Sequence, residues 1–129
     1  MKKIDKYGYW LLFVIFFLLA GLSECIGQTK EEVKAYLIEI ECKFPEIVTA
    51  QSRLESANFT SYNCKERNNI FGLWNHSKQE YYTFKSWKEC CNAYLTMIQY
   101  KYVKGDYYDF LERIGYASDK DYINKLKRF

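Results

Sequence analysis

Apolar residues recur at helical spacing behind capping residues through most of the chain, and that pattern limits it to a helix-built fold. Thr29 with Glu32 has the spacing of a capping box. Val33, Tyr36, Leu37, Ile40 and Phe44 then repeat every three or four residues. Pro45 suits the first turn of a second helix, whose apolar side includes Val48 and Leu54. Residues 58–69 are polar and lack a period, which predicts a loop. Leu73-Trp74 and Tyr81-Tyr82-Thr83-Phe84 flank Asn75-His76-Ser77-Lys78, the pattern of a β-hairpin with a polar tip. Ser86 with Glu89 opens a long helix predicted to run through Tyr94, Leu95, Ile98 and Tyr102 until Gly105-Asp106 breaks it. Asp106 caps a helix ending at Gly115, with Phe110, Leu111 and Ile114 facing inward, and Ser118 with Asp121 caps a last one holding Tyr122, Ile123 and Leu126.

The 129 residues leave room for one small domain, and 49% hydrophobic with 27% charged residues excludes a disordered chain. A net charge of +3 without any basic stripe argues against a nucleic-acid partner. His76 is the single histidine, so no metal site and no cofactor is expected. The 13 tyrosines suit either an aromatic core or a surface that meets flat, hydroxylated partners, because the ring is apolar and its tip polar.

At the N-terminus, Lys2, Lys3 and Lys6 precede the apolar run from Trp10 to Leu22. That run is shorter than the ~20 residues of a membrane span and fits a secretory signal peptide. Residues 1–25 are therefore expected to be a signal peptide or an uncleaved anchor, and 26–129 the domain. The expected location is the periplasm, cell envelope or extracellular space, and membrane contact is expected only through an uncleaved or Cys25-lipidated N-terminal segment. Export makes disulfides permissible. Cys42, Cys64, Cys90 and Cys91 allow three pairings, and vicinal Cys90 and Cys91 are expected to pair outward rather than with each other.

Glu55 is the candidate for chemistry. It stands where the second helix runs out, facing the negative end of the helix macrodipole, which opposes ionisation. It shares a helix face with Val48, Gln51 and Ser52, and burial there would also push its pKa upward. A carboxyl kept protonated near neutral pH can protonate a departing sugar oxygen. The competing role is a solvated surface glutamate.

Ala50-Gln51-Ser52-Arg53-Leu54-Glu55-Ser56-Ala57 followed by Asn68-Asn69-Ile70-Phe71-Gly72 resembles the core of the bacterial glucosaminidases of glycoside hydrolase family 73. Tyr82-Thr83-Phe84-Lys85-Ser86-Trp87-Lys88-Glu89 and Gly115-Tyr116-Ala117-Ser118-Asp119 with Tyr122 and Leu126 resemble two further stretches of the family, in family order. The resemblance implies a mainly α, lysozyme-like helical domain with a small β-hairpin lobe flanking a cleft. The implied activity is hydrolysis of β-1,4 bonds in the glycan strands of peptidoglycan, of the endo-β-N-acetylglucosaminidase type. By the same resemblance Glu55 is the catalytic acid, Tyr116 and Tyr122 belong to the sugar site, and Phe71-Gly72 shapes the cleft floor, with core packing equally open to Phe71. The family often carries a second glutamate in the β-lobe, and Glu80 is the one acid of this hairpin. It is either base or nucleophile, or a solubilising residue made unnecessary by substrate-assisted attack.

Where the family commonly has Gly after Leu-Glu-Ser, this chain has Ala57. Cys64, Cys90 and Cys91 look like local additions, and a bridge from Cys64 to either of the other two would tie the loop to the long helix, worth ~3 kcal/mol. Two rival classes stand beside the hydrolase: a catalytically weak or inactive wall-binding module of the same fold, and a small disulfide-stapled structural or toxin-like protein.

Overall fold

A computed structural model describes residues 28–129; the expected signal segment and Cys25 lie outside the described residues. Among the described residues, six α-helices and one two-stranded antiparallel sheet make a mainly helical, lysozyme-like domain. The first helix, α1 (Lys30–Glu39), opens on a complete capping box. The Thr29 side chain accepts from the Glu32 amide at 3.2 Å, and the Glu32 carboxylate accepts from the Thr29 amide at 2.9 Å. It ends before Phe44, which instead adopts a left-handed conformation (φ 55°) and turns the chain into α2 (Pro45–Glu55), with Pro45 in the first turn.

The stretch expected to be loop holds a short helix, α3 (Tyr62–Arg67), capped by Ser61, whose side chain accepts from the Cys64 amide. Six residues are too few to display a helical period, so the polar sequence hides it. The hairpin forms, but with shorter strands than expected: Asn75 belongs to the first strand, and residues 82–84 lie outside the second. Strands β1 (Trp74–Asn75) and β2 (Glu80–Tyr81) pair Trp74 with Tyr81 and Asn75 with Glu80, and Gln79 (φ 54°) closes the turn.

Helix α4 (Trp87–Met97) begins at Ser86, which accepts from the Glu89 amide; the Glu89 carboxylate reaches the Lys85 amide rather than completing a box with Ser86. It stops short of the expected Tyr102 because the chain tightens into a 3-10 turn (Gln99–Lys101) that draws the Gln99 side chain onto the Lys43 backbone. Asp106 caps α5 (Tyr107–Arg113) by accepting from the Tyr108 and Asp109 amides, and Gly115 (φ 63°) ends it. The last helix, α6 (Tyr122–Leu126), starts after Asp121, not Ser118. Asp119 holds the turn by accepting from the Asp121 amide and from the Lys125 ammonium.

The core joins Val33 and Leu37 of α1, Val48 of α2, Tyr94 of α4, Tyr107 and Phe110 of α5, and Leu126 of α6, with Ile70, Phe71 and Leu73 entering from the segment before the hairpin. Cys42, Cys64, Cys90 and Cys91 also lie inside this core as free thiols, so the expected bridge from Cys64 to the long helix is not formed. Burial raises all four, Cys42 to about 11 and Cys90 to about 12, which keeps them un-ionised and unreactive. Their place is apolar packing.

Candidate active site

Glu55 is the last residue of α2, and the bonds that fix its position come from its neighbours. Ser56 is fully buried. Its hydroxyl donates to the Ser52 carbonyl at 2.6 Å and accepts from the Phe59 amide at 2.8 Å, while its carbonyl accepts from the Thr60 and Ser61 amides. One residue thus satisfies both the helix end and the loop that leaves it. That loop carries three consecutive residues with positive φ, Ala57 (50°), Asn58 (56°) and Phe59 (65°), a conformation that costs non-glycine residues energy. It is held by the Asn58 amide on the Arg53 carbonyl (2.7 Å) and by the Arg53 guanidinium on the Asn58 side chain (3.0 Å).

The Asn68-Asn69 pair performs the matching task opposite. Asn69 is buried. Its side-chain oxygen accepts from the Leu73 amide at 2.8 Å, and its amide nitrogen donates to the Leu73 carbonyl (2.9 Å) and the Tyr82 carbonyl (3.0 Å). Asn68, left-handed at the end of α3, donates to the Phe84 carbonyl at 3.0 Å. These bonds clamp segment 69–73 to the outgoing side of the hairpin. They set Gly72 (φ 61°) so close to the acid that a β-carbon there would lie 3.6 Å from Glu55 Oε2.

Tyr116 and Tyr122 arrive from the C-terminal segment. Their rings lie 5.7 Å apart, and the Tyr116 hydroxyl donates to the Phe71 carbonyl at 3.3 Å. Glu55 is half-buried. Burial pushes its carboxyl above the ordinary carboxylate range, and the nearby Tyr122 hydroxyl draws it part of the way back. Burial first, then the nearby Glu55 charge, raises both phenols, so both stay protonated donors.

Glu55, Gly72, Tyr116 and Tyr122 therefore come together, although 67 positions separate the first from the last in sequence. Phe71 contributes to this cluster through its backbone. Its ring is buried and stacked on Tyr94 at 4.5 Å. Glu80 lies exposed on β2, and among the described residues no hydrogen bond or ion pair joins it to Glu55. The hairpin also presents a partly exposed aromatic pair, Trp74 and Tyr81, packed edge to face at 4.8 Å. Two residues of the site escaped the sequence reading as participants: Gln51, which donates to the Tyr122 hydroxyl at 3.4 Å, and Tyr94, which donates to Gln51 at 2.5 Å. Both look like ordinary core positions in their helices.

Among the described residues there is no cluster of His, Cys, Asp or Glu able to hold a metal ion. The arrangement is that of a withheld proton: a carboxyl biased toward its neutral form, with the phenols of Tyr116 and Tyr122 close by. Residues 33–129 match the family model Glucosaminidase, described as mannosyl-glycoprotein endo-beta-N-acetylglucosaminidase. The chain belongs to the glucosaminidase family. The match covers every segment of the site, from α2 to α6, and makes this a glucosaminidase-type glycoside hydrolase domain of the kind that acts on peptidoglycan. No curated protein and no solved structure matches the chain.

Proposed function

We propose that the protein is an exported peptidoglycan hydrolase that cleaves β-1,4 bonds of the glycan strand as an endo-β-N-acetylglucosaminidase, with Glu55 as general acid. The observation that carries this is the half-buried Glu55 carboxyl at the end of α2, raised by burial and faced by Tyr122 beside Gly72. Bond cleavage transfers the Glu55 proton to the departing glycosidic oxygen while positive charge grows on the sugar ring left behind. Gly72 leaves room for that ring beside the acid. Tyr116 and Tyr122 supply the polar edge of the sugar site, and the Phe71 side chain supports the floor from inside the core.

Water completes the reaction, and Glu80 is the protein's candidate to activate it or to act as nucleophile. The substrate's own acetamido oxygen is the alternative that leaves Glu80 free. Trp74 and Tyr81 suit stacking against the apolar faces of sugars further along the strand. Residues 1–25 serve as signal or anchor, and peptidoglycan is the one partner this chemistry requires.

The exposed position of Glu80 favours one competing reading, a wall-binding module of the same fold with little turnover. Incubating the purified protein with cell-wall sacculi and identifying the products by mass spectrometry separates the two. New reducing-end N-acetylglucosamine is the expected result. Pelleting with the sacculi without any release would establish the binder, and anhydro sugar ends would establish a lytic transglycosylase instead.

A further inference from the structure

The segment that passes the acid is closed to solvent at every residue but one. Asn69, Ile70, Phe71 and Leu73 are buried, and Gly72 alone among residues 69–73 is half-buried. That opening lies beside Glu55, itself half-buried, whose Oε2 would stand 3.6 Å from a β-carbon at Gly72. The Gly72 nitrogen hangs on the same α-carbon, which places it within about 6 Å of that oxygen.

The direction of the Gly72 N–H follows from its neighbours. The Tyr116 hydroxyl donates to the Phe71 carbonyl at 3.3 Å, and the Tyr116 ring packs edge-on against the buried Tyr94. The Phe71 oxygen is thus drawn to the aromatic side. No peptide bond among the described residues is cis, so the Gly72 N–H leaves the same peptide plane in the opposite direction. The segment cannot easily swivel, because the Asn69 side chain accepts from the Leu73 amide at 2.8 Å and donates to the Leu73 carbonyl at 2.9 Å. The amides of Asn69 and Leu73 have acceptors, whereas the Gly72 N–H meets none among the described residues. A backbone donor that is fixed, turned from the aromatic packing and unpaired beside the acid is ready for a ligand.

A peptide N–H can only donate, so the sugar group that meets it must accept. N-acetylglucosamine carries, on the carbon next to its anomeric carbon, an acetamido group whose carbonyl oxygen only accepts. A strand that offers its scissile oxygen to Glu55 brings this group close to the acid, where Gly72 stands. We propose that the Gly72 N–H is a specificity-determining donor to the acetamido carbonyl of the sugar at the cleaved bond, and that Tyr116 is the positioning residue that aims it. Tyr116 then acts on the sugar through the Phe71–Gly72 peptide. A de-N-acetylated sugar presents an ammonium in the same place, donor facing donor, and the site discriminates against it.

This inference rests on the proposed role of Glu55, but its tests read binding and need no turnover. The first is heteronuclear NMR of the Glu55→Gln protein, which should leave oligosaccharides intact. Saturation with the β-1,4-linked tetramer of N-acetylglucosamine should move the Gly72 amide proton downfield, further than any other amide of residues 69–73. The fully de-N-acetylated tetramer should leave it in place. An unmoved Gly72 amide in the acetylated complex, or an equal shift with both tetramers, would overturn the proposal.

The second test is calorimetric titration of Tyr116→Phe with the same two tetramers. Affinity for the acetylated one should fall about tenfold, the worth of one well-placed hydrogen bond, with no change for the other. A merely structural lesion weakens both alike, so an equal loss, or no loss, refutes the positioning role. Should Tyr116→Phe not fold, the NMR comparison decides alone. A protein that binds neither tetramer overturns the inference. One that takes the acetylated tetramer on Gly72 yet releases no sugar from sacculi counts against the proposed function and leaves the inference standing.

Discussion

Glu55 and Ala57 stand two positions apart, and each is costly to the fold in its own way. For Glu55 the cost is electrostatic. Its folded-state pKa is raised, so the native state binds its proton more tightly than the unfolded chain does. Stability from this group is therefore full below the ordinary carboxylate range and lost as pH rises through the elevated folded value. Glu55→Gln should match wild type in thermal midpoint at low pH and exceed it increasingly as pH rises toward neutrality, which calorimetry across that range will show. A constant offset at every pH would contradict the assigned cause. For Ala57 the cost is steric, because its φ of 50° brings the β-carbon against the backbone. Ala57→Gly should stabilise the protein by about 1 kcal/mol in urea melts, the relief of that clash exceeding the added chain entropy. A loss of stability would show that the methyl group packs usefully.

The elements most legible in sequence were those announced by a cap. Thr29, Ser86 and Asp106 each accept from the backbone amides their spacing predicted, and Pro45 opens α2. The hairpin was legible from aromatic stretches on either side of a polar tip. What was hidden depended on tertiary contacts or on shortness: α3 is too brief to show a period, α4 gives way when Gln99 is pulled onto Lys43, and Asp119 rather than Ser118 organises the start of α6. Within the site, the place of Glu55 at the end of α2 was legible from the sequence, but its spacing alone fits a surface glutamate equally, and the family resemblance is what singled it out. Gln51 and Tyr94 were not, since their partners lie 71 and 43 positions away. Asn69 was visible as part of a motif, but not as the clamp it proves to be. Asn69→Ala should cost about 3 kcal/mol in chemical denaturation, because it leaves buried groups of Leu73 and Tyr82 without partners. A loss below 1 kcal/mol would mean that water replaces the asparagine, and that the clamp is not what holds Gly72 against the acid.

Taken whole, the domain invests unusual polarity in a small interior. Two glutamines, an asparagine and the tyrosines of α4 and α5 share the core with four thiols. The thiols are silent in this arrangement, held un-ionised by burial, and the disulfide expected from an exported chain plays no part in the fold described. The polar groups instead converge on one place, the end of α2, where three parts of the chain meet: the helix that carries the acid, the segment that brings Gly72, and the C-terminal tyrosines. That convergence is where the proposed chemistry is lodged, and the proposed function makes a single side chain responsible for turnover. The decisive measurement is the release of reducing sugar from purified sacculi by wild type and by Glu55→Gln, compared after circular dichroism and thermal melts establish that both are folded. The account predicts steady release by wild type and a loss of at least a hundredfold in the variant, whose thermal midpoint is equal or higher. A folded Glu55→Gln protein that still digests sacculi at the wild-type rate would contradict it.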